Sequence, residues 1–337
     1  MAKRDLYWDT LKFVLIFFVV YFHSTGGLNL ASSFNGPFRS FIQLFAMPLF
    51  IFVSGRFSHI RVIDKYKTGC LRILETYIVF QFIRSIPSMY SDSFSLDSLL
   101  SFLLIPKYTL WYLQCLIYWR IFVMLIPQKF LSEKPFFVLT ICFALSILGG
   151  FIPVEILSFQ RAMAFLPFFF MGYYSTEIDL KGWLSKIHIG IPVISLFASY
   201  LFLYYFLNFD LDFVLHGRMA FWSYPSLSPS VMCMARCIYV LAAIFVSTMV
   251  MRLVRVQPLM AKYGGATLVI YIFHSFIVQV VKILIKQGFL QSNEVLLFVI
   301  AVVITLGLAY LSRFQIVNFM LNPVTYVKNR FFTSDKN

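Results

Sequence analysis

The first apolar run of the chain contains three groups that lipid does not favour: Asp9, Lys12 and His23. From Lys12 to His23 is a step of eleven residues, about three helical turns and about 16 Å of rise, so the ammonium and the imidazole share one face of a helix. Asp9 lies on the same stripe, three residues before Lys12. A charge at the centre of a span costs roughly 2.5–3.5 kcal/mol on insertion scales, so the stripe should face the interior of a bundle. The chemistry it suits is general-base catalysis. A desolvated imidazole away from carboxylates tends to its neutral, proton-accepting form, and a positioned base is worth roughly 10²–10⁴ in rate. A reagent whose anionic end is held near Lys12 would bring its reactive end to His23. The residues also have a structural reading, with His23 bonded to a carbonyl at the membrane interface and Lys12 extended to the aqueous edge.

Other polar residues fall at the edges or middles of apolar runs. Arg72 and Glu75 are spaced to pair on one helix face, with Arg56, Arg61, Lys65 and Lys67 shortly before them. Trp111 sits where an aromatic belt would lie. Tyr271 and His274 share a later run, His274 near its middle, as orienting groups or as buried hydrogen-bonding residues. The polar stretch with Asp210, Asp212, His216, Arg218, Trp222 and Tyr224 has the carboxylates and aromatic faces that bind sugars, and reads equally as an ordinary loop. Cys70, Cys115, Cys142, Cys233 and Cys237 form no CxxC pair, so a metal site is not expected and they read as small buried residues.

The elements that must position these groups follow from composition. At 337 residues, 60% hydrophobic and 12% charged, with a mean hydropathy of +0.83, the chain is too apolar for a water-soluble globule. Its apolar runs are long and continuous, which excludes a β-barrel. The expected fold is all-α, a polytopic integral membrane bundle of about ten transmembrane helices near 8–24, 38–55, 72–89, 108–126, 135–152, 161–176, 188–207, 234–252, 265–285 and 294–312. With alternating sides, 20 of the 28 Lys and Arg fall on the side of the termini, which predicts that both termini are cytoplasmic. The first run, which imitates a signal peptide, reads as a retained span because no small-x-small site follows His23 and Lys12 interrupts its core. The net charge of +14 has no accompanying polar basic tract with stacking aromatics, so nucleic-acid binding is not expected. Residues 1–325 read as one transmembrane domain and 326–337 as a frayed cytoplasmic tail.

Several segments together resemble the membrane acyltransferase 3 family, within it the sugar O-acetylase branch with its fucose 4-O-acetylase-like proteins. These are Lys12 with ten residues before His23, Met47 to Gly55, Leu110 to Leu113, Phe165 to Tyr173 and Leu268 to His274. The resemblance implies ten transmembrane helices and acyl transfer from cytosolic acyl-CoA to a hydroxyl. It gives His23 the essential histidine's place, Lys12 its basic partner's, Arg72 the second position of a paired-arginine motif and Trp111 a fourth-helix tryptophan's. Gly69 stands where that motif has its first arginine, and Thr76 where a proline is usual; Lys65 or Lys67 would have to supply the missing charge.

The expected function is that of a membrane O-acyltransferase, and more narrowly an acetyl-CoA-dependent O-acetyltransferase of the bacterial inner membrane. It would modify a sugar hydroxyl of a surface or lipid-linked polysaccharide, such as a lipopolysaccharide or capsule. His23 is the base, and Lys12, Arg72, Lys67 and Arg56 hold acyl-CoA. Asp9, Trp111, Tyr271 and His274 orient, while Asp210, Asp212, His216, Arg218 and Tyr224 meet the glycan acceptor. The partners are the lipid bilayer, acyl-CoA and the glycan. The competing expectation is a transporter or export factor for a glycan or small anion, which would use the same polar file as a pathway.

Overall fold

The computed structural model describes residues 5–28, 34–91, 102, 104–152, 157–206, 217, 220–223 and 227–331, with the backbone alone at 87–91, 206 and 329–331. The regular elements among them are all helical. In chain order these are α1 (Leu6–Thr25), α2 (Asn35–Arg56), α3 (Ile63–Ser91), α4 (Trp111–Leu125), α5 (Gln128–Glu133) and α6 (Pro135–Leu148). There follow α7 (Phe159–Ala164), α8 (Leu166–Tyr174), α9 (Leu180–Ser185), α10 (Gly190–Phe206) and α11 (Pro229–Leu253). The last are α12 (Pro258–Lys262), α13 (Thr267–Lys286), α14 (Glu294–Leu311), α15 (Gln315–Leu321) and α16 (Pro323–Phe331). Five helices, α1, α2, α11, α13 with its leading turn from Gly264, and α14, are long and apolar enough to cross a bilayer.

Local chemistry starts these helices. The Asp5 carboxylate accepts from the Tyr7 N–H at 3.0 Å and caps α1. Ser228 with Pro229 opens α11, and Asn293 opens α14. One predicted helix is broken: the segment expected to be continuous over 161–176 is two helices meeting at Phe165. Pro167, in the first turn of α8, lacks an N–H and disfavours a helical residue before it. In α2, Pro48 likewise removes a backbone donor mid-helix, beside the residues that line the cavity described below.

The central packing feature is the crossing of α2 with α8. A Cβ added at Gly55 would lie 1.9 Å from the Phe169 carbonyl oxygen, and one at Gly172 would lie 1.8 Å from that of Phe52. The two backbones therefore touch, which only small residues permit in a membrane bundle.

The boundary expected between 325 and 326 falls inside α16, and the rest of the expected tail, 332–337, lies outside the described residues. Glu75 holds that helix. Its carboxylate accepts from the backbone N–H groups of Val324 (2.6 Å) and Thr325 (3.2 Å) and from the Thr325 hydroxyl (2.6 Å). The expected pairing of Glu75 with Arg72 is replaced by this cap, since the first turn of α16 presents donors that otherwise lack partners.

Candidate active site

A small open cavity lies among α1, α2, α4, α7 and α13, and its polar lining is His23, Gln43, Thr109, Trp111, Arg161 and Tyr271. His23 reaches it from the last turn of α1, half-buried. The His274 ring stands 5.3 Å from that of His23, centroid to centroid, and is fully buried. Its Nδ1 lies 2.9 Å from the Ile270 carbonyl. A carbonyl only accepts, so Nδ1 carries the hydrogen and Nε2 of the neutral ring keeps a lone pair. That Nε2 is buried with no hydrogen-bond partner among the described residues. One turn earlier, the Tyr271 hydroxyl donates to the Thr109 carbonyl. Its ring packs 5.3 Å from that of Tyr112, whose hydroxyl is 2.6 Å from that of Ser54.

Trp111 and Arg161 form another part of the lining. The indole of Trp111 stacks on Phe165 at 5.6 Å, and the Arg161 guanidinium lies over the same indole at 4.9 Å. Both are presented by unusual backbone. The non-glycine residues with positive φ among those described are Tyr108 (53°), Leu157 (55°) and Ser158 (52°). Tyr108 precedes Trp111 by three residues, and Ser158 precedes Arg161 by three. Leu157 N–H donates to the Leu104 carbonyl at 2.7 Å, tying the segment that leads into α4 to the one that leads into α7. Such conformations cost about 1–3 kcal/mol each and persist only where the surroundings enforce them.

The other predicted residues are dispersed. The Lys12 ammonium pairs with Asp9 at 2.7 Å and lies 5.5 Å from the Phe57 ring centroid. Asp9 is buried against Gly264, where an added Cβ would lie 2.5 Å from Asp9 Cβ. Arg56 donates to the carbonyl (2.5 Å) and hydroxyl (2.9 Å) of Ser175, and its guanidinium covers the Trp8 ring at 4.5 Å. Lys65 and Lys67 are exposed on α3. Beside Gly69 stands a cation that sequence spacing does not point to: the Arg120 guanidinium of α4, 3.4 Å from where a Cβ would be. Arg72 lines a second cavity, formed with α13 and the segment that follows α14. Asp210, Asp212, His216, Arg218 and Tyr224 lie outside the described residues.

Arg161 and Gln43 are site residues that the sequence reading misses. In the sequence Arg161 marks only the start of the sixth expected span, and the nearby Pro167 is the available sign that the helix there is interrupted.

A family model described as an acyltransferase domain (acyltransferase 3) matches residues 5–314. No curated protein and no solved structure matches the chain.

Proposed function

Since the chain belongs to the acyltransferase 3 family and its apolar helices fit a multi-pass membrane acyltransferase, we propose that it moves an acyl group, acetyl in the simplest case, from cytosolic acyl-CoA to a sugar hydroxyl of a bacterial surface or lipid-linked polysaccharide. The observation that carries this reading is the placement of His23 on a cavity wall with the buried His274 ring 5.3 Å from its own. In the proposed step, His23 takes the proton of the acceptor hydroxyl as its oxygen bonds to the acyl carbon. The carbon–sulfur bond breaks, and the proton passes to the departing thiolate. Arg161, the cation of the lining, meets the negative charge that develops on the carbonyl oxygen. Transfer is direct, in a ternary complex. The bundle has about ten spans with both termini in the cytoplasm, and the membrane is the bacterial inner membrane.

The test uses proteoliposomes of the full chain, supplied with labelled acetyl-CoA and an extracted surface glycan. Label in an ester on the glycan, lost in His23→Ala at equal protein level, is the expected result. Full transfer by His23→Ala removes the base assignment. Movement of unmodified glycan without ester formation would favour the transporter instead.

A further inference from the structure

A cation buried inside α3, Arg84, stands outside the lining of the His23 cavity and is bonded to the elements on two sides of it. A charge within a span needs partners of its own, because lipid offers none. The Arg84 guanidinium donates to the Ser275 hydroxyl and, at 2.6 Å, to Gln279 Oε1, one turn apart on α13. The Ser275 hydroxyl gives its own hydrogen to the Ile272 carbonyl at 3.2 Å, which leaves its oxygen to accept from Arg84. Rings flank the same group: its central carbon lies 3.4 Å from the ring centroid of Phe276 on α13 and 4.7 Å from that of Tyr108. An arginine fits this seat and a lysine does not, because the planar guanidinium has several donor edges and two stacking faces.

Each contact leads to a wall of the cavity. Ser275 follows His274 directly, and Phe276 and Gln279 belong to the same stretch of α13. Tyr108 is the left-handed residue that precedes Trp111 by three, and Thr109 between them lines the cavity. Gln81, three residues before Arg84 on the same face of α3, holds the approach to Tyr108. Its amide nitrogen donates to the carbonyls of Phe102 and Ile105, both at 2.8 Å, and its Oε1 accepts from the Lys107 N–H at 2.9 Å. From the side of α13, the Tyr271 hydroxyl donates to the Thr109 carbonyl. Through Gln81 and Arg84, α3 thus fastens the His274 turn and the entry to Trp111 to each other, while neither residue lines the cavity.

We infer that Arg84 is a positioning residue of the transfer reaction, which sets the His274 ring against His23 by clamping the turn from Ser275 to Gln279 onto the segment that leads into Trp111. This role rests on the acyl transfer proposed above. Arg84 acts through His274, whose ring is 5.3 Å from that of His23, and binds neither substrate.

The experiment measures kcat and both KM values for the full chain in proteoliposomes, with acetyl-CoA and an extracted surface glycan, as a double-mutant cycle between Arg84→Met and His274→Ala. Arg84→Met alone should lower kcat about tenfold, the scale of a misplacement of less than an ångström, with donor and acceptor KM held within about twofold. In the His274→Ala background the same change should cost about twofold or less, because residues that act as a unit do not add. Arg84→Lys, which keeps the buried charge without the fork, should fold as wild type, fall between wild type and Arg84→Met in kcat, and show the same loss of effect when His274 is absent. An equal cost in both backgrounds overturns the role, since loss of folded protein or an independent site would multiply. Wild-type kcat in Arg84→Met overturns it and leaves the acyl transfer standing. A raised acceptor KM with kcat kept makes Arg84 an acceptor-binding residue and overturns it as well. No ester formed by wild type overturns both readings.

Discussion

The Nδ1–H of His274 is committed to the Ile270 carbonyl, one turn back on its own helix, while its ring lies 5.3 Å from that of His23. With its donor spent and its Nε2 bonded to none of the described residues, His274 bears on His23 through ring contact, which fixes where the His23 imidazole stands. His274→Ala should therefore lower kcat by about 10-fold to 100-fold, short of the roughly 10²–10⁴ expected for His23→Ala, with little change in donor KM. Steady-state kinetics in proteoliposomes separates the two parameters, and a pH–rate profile displaced in His274→Ala marks positioning over mere packing. Equal kcat in wild type and His274→Ala would refute the pairing.

The Lys12–Asp9 pair gives a second prediction. Asp9 is buried, so Lys12→Ala takes an ammonium away from a carboxylate that water does not reach. Breaking a buried pair costs about 3–5 kcal/mol, and the partly exposed lysine places the loss toward the lower end. We expect a lower thermal midpoint in detergent and less protein in the membrane. The double variant Lys12→Met with Asp9→Asn should recover the midpoint. If it also recovers wild-type donor KM, the role of Lys12 is structural and not donor-binding.

The left-handed backbone that leads to Trp111 and Arg161 predicts a trade between stability and turnover. Ser158 has φ 52°, a region that glycine occupies without steric cost. Ser158→Gly should remove about 1 kcal/mol of strain, and so raise or hold the thermal midpoint. The loosened turn should lower kcat, because it no longer fixes Arg161 over the indole. A variant that is both more stable and fully active would show that the strain serves no catalytic end.

The glycine crossing yields the harshest substitution. Gly172→Ala places a methyl 1.8 Å from a backbone oxygen that cannot rotate away. Overpacking costs about 1–3 kcal/mol even where side chains can adjust, and here the helices themselves must part. Loss of folded protein is expected, whereas Gly36→Ala, with open space around its Cβ position, should behave as wild type.

Composition and periodicity are strong signals in this chain, and the helical segments follow them closely. Every segment expected to be a span carries a helix, because apolar length and polar breaks are what define one. The His23 position is legible for the same reason: an imidazole in an apolar run costs energy without a cavity or partner. The pairing of Glu75 is not, since two compatible partners compete for it and the winner lies 249 residues on. Nor is Arg161, whose place over Trp111 depends on a helix break and on left-handed residues that local spacing does not encode. Arg120 beside Gly69 shows the same limit: sequence registers a missing charge, but not that another helix delivers one.

The capping of α16 by Glu75 joins an early helix to one that leaves the ribosome much later. Every intervening helix must be inserted before that contact can close. Until then the segment from Asn318 to Asn322 lacks that anchor and is left with the bond of the Thr76 hydroxyl to Asn322 Oδ1. Closure of the α16 cap is therefore a late step, one that only the finished chain can make.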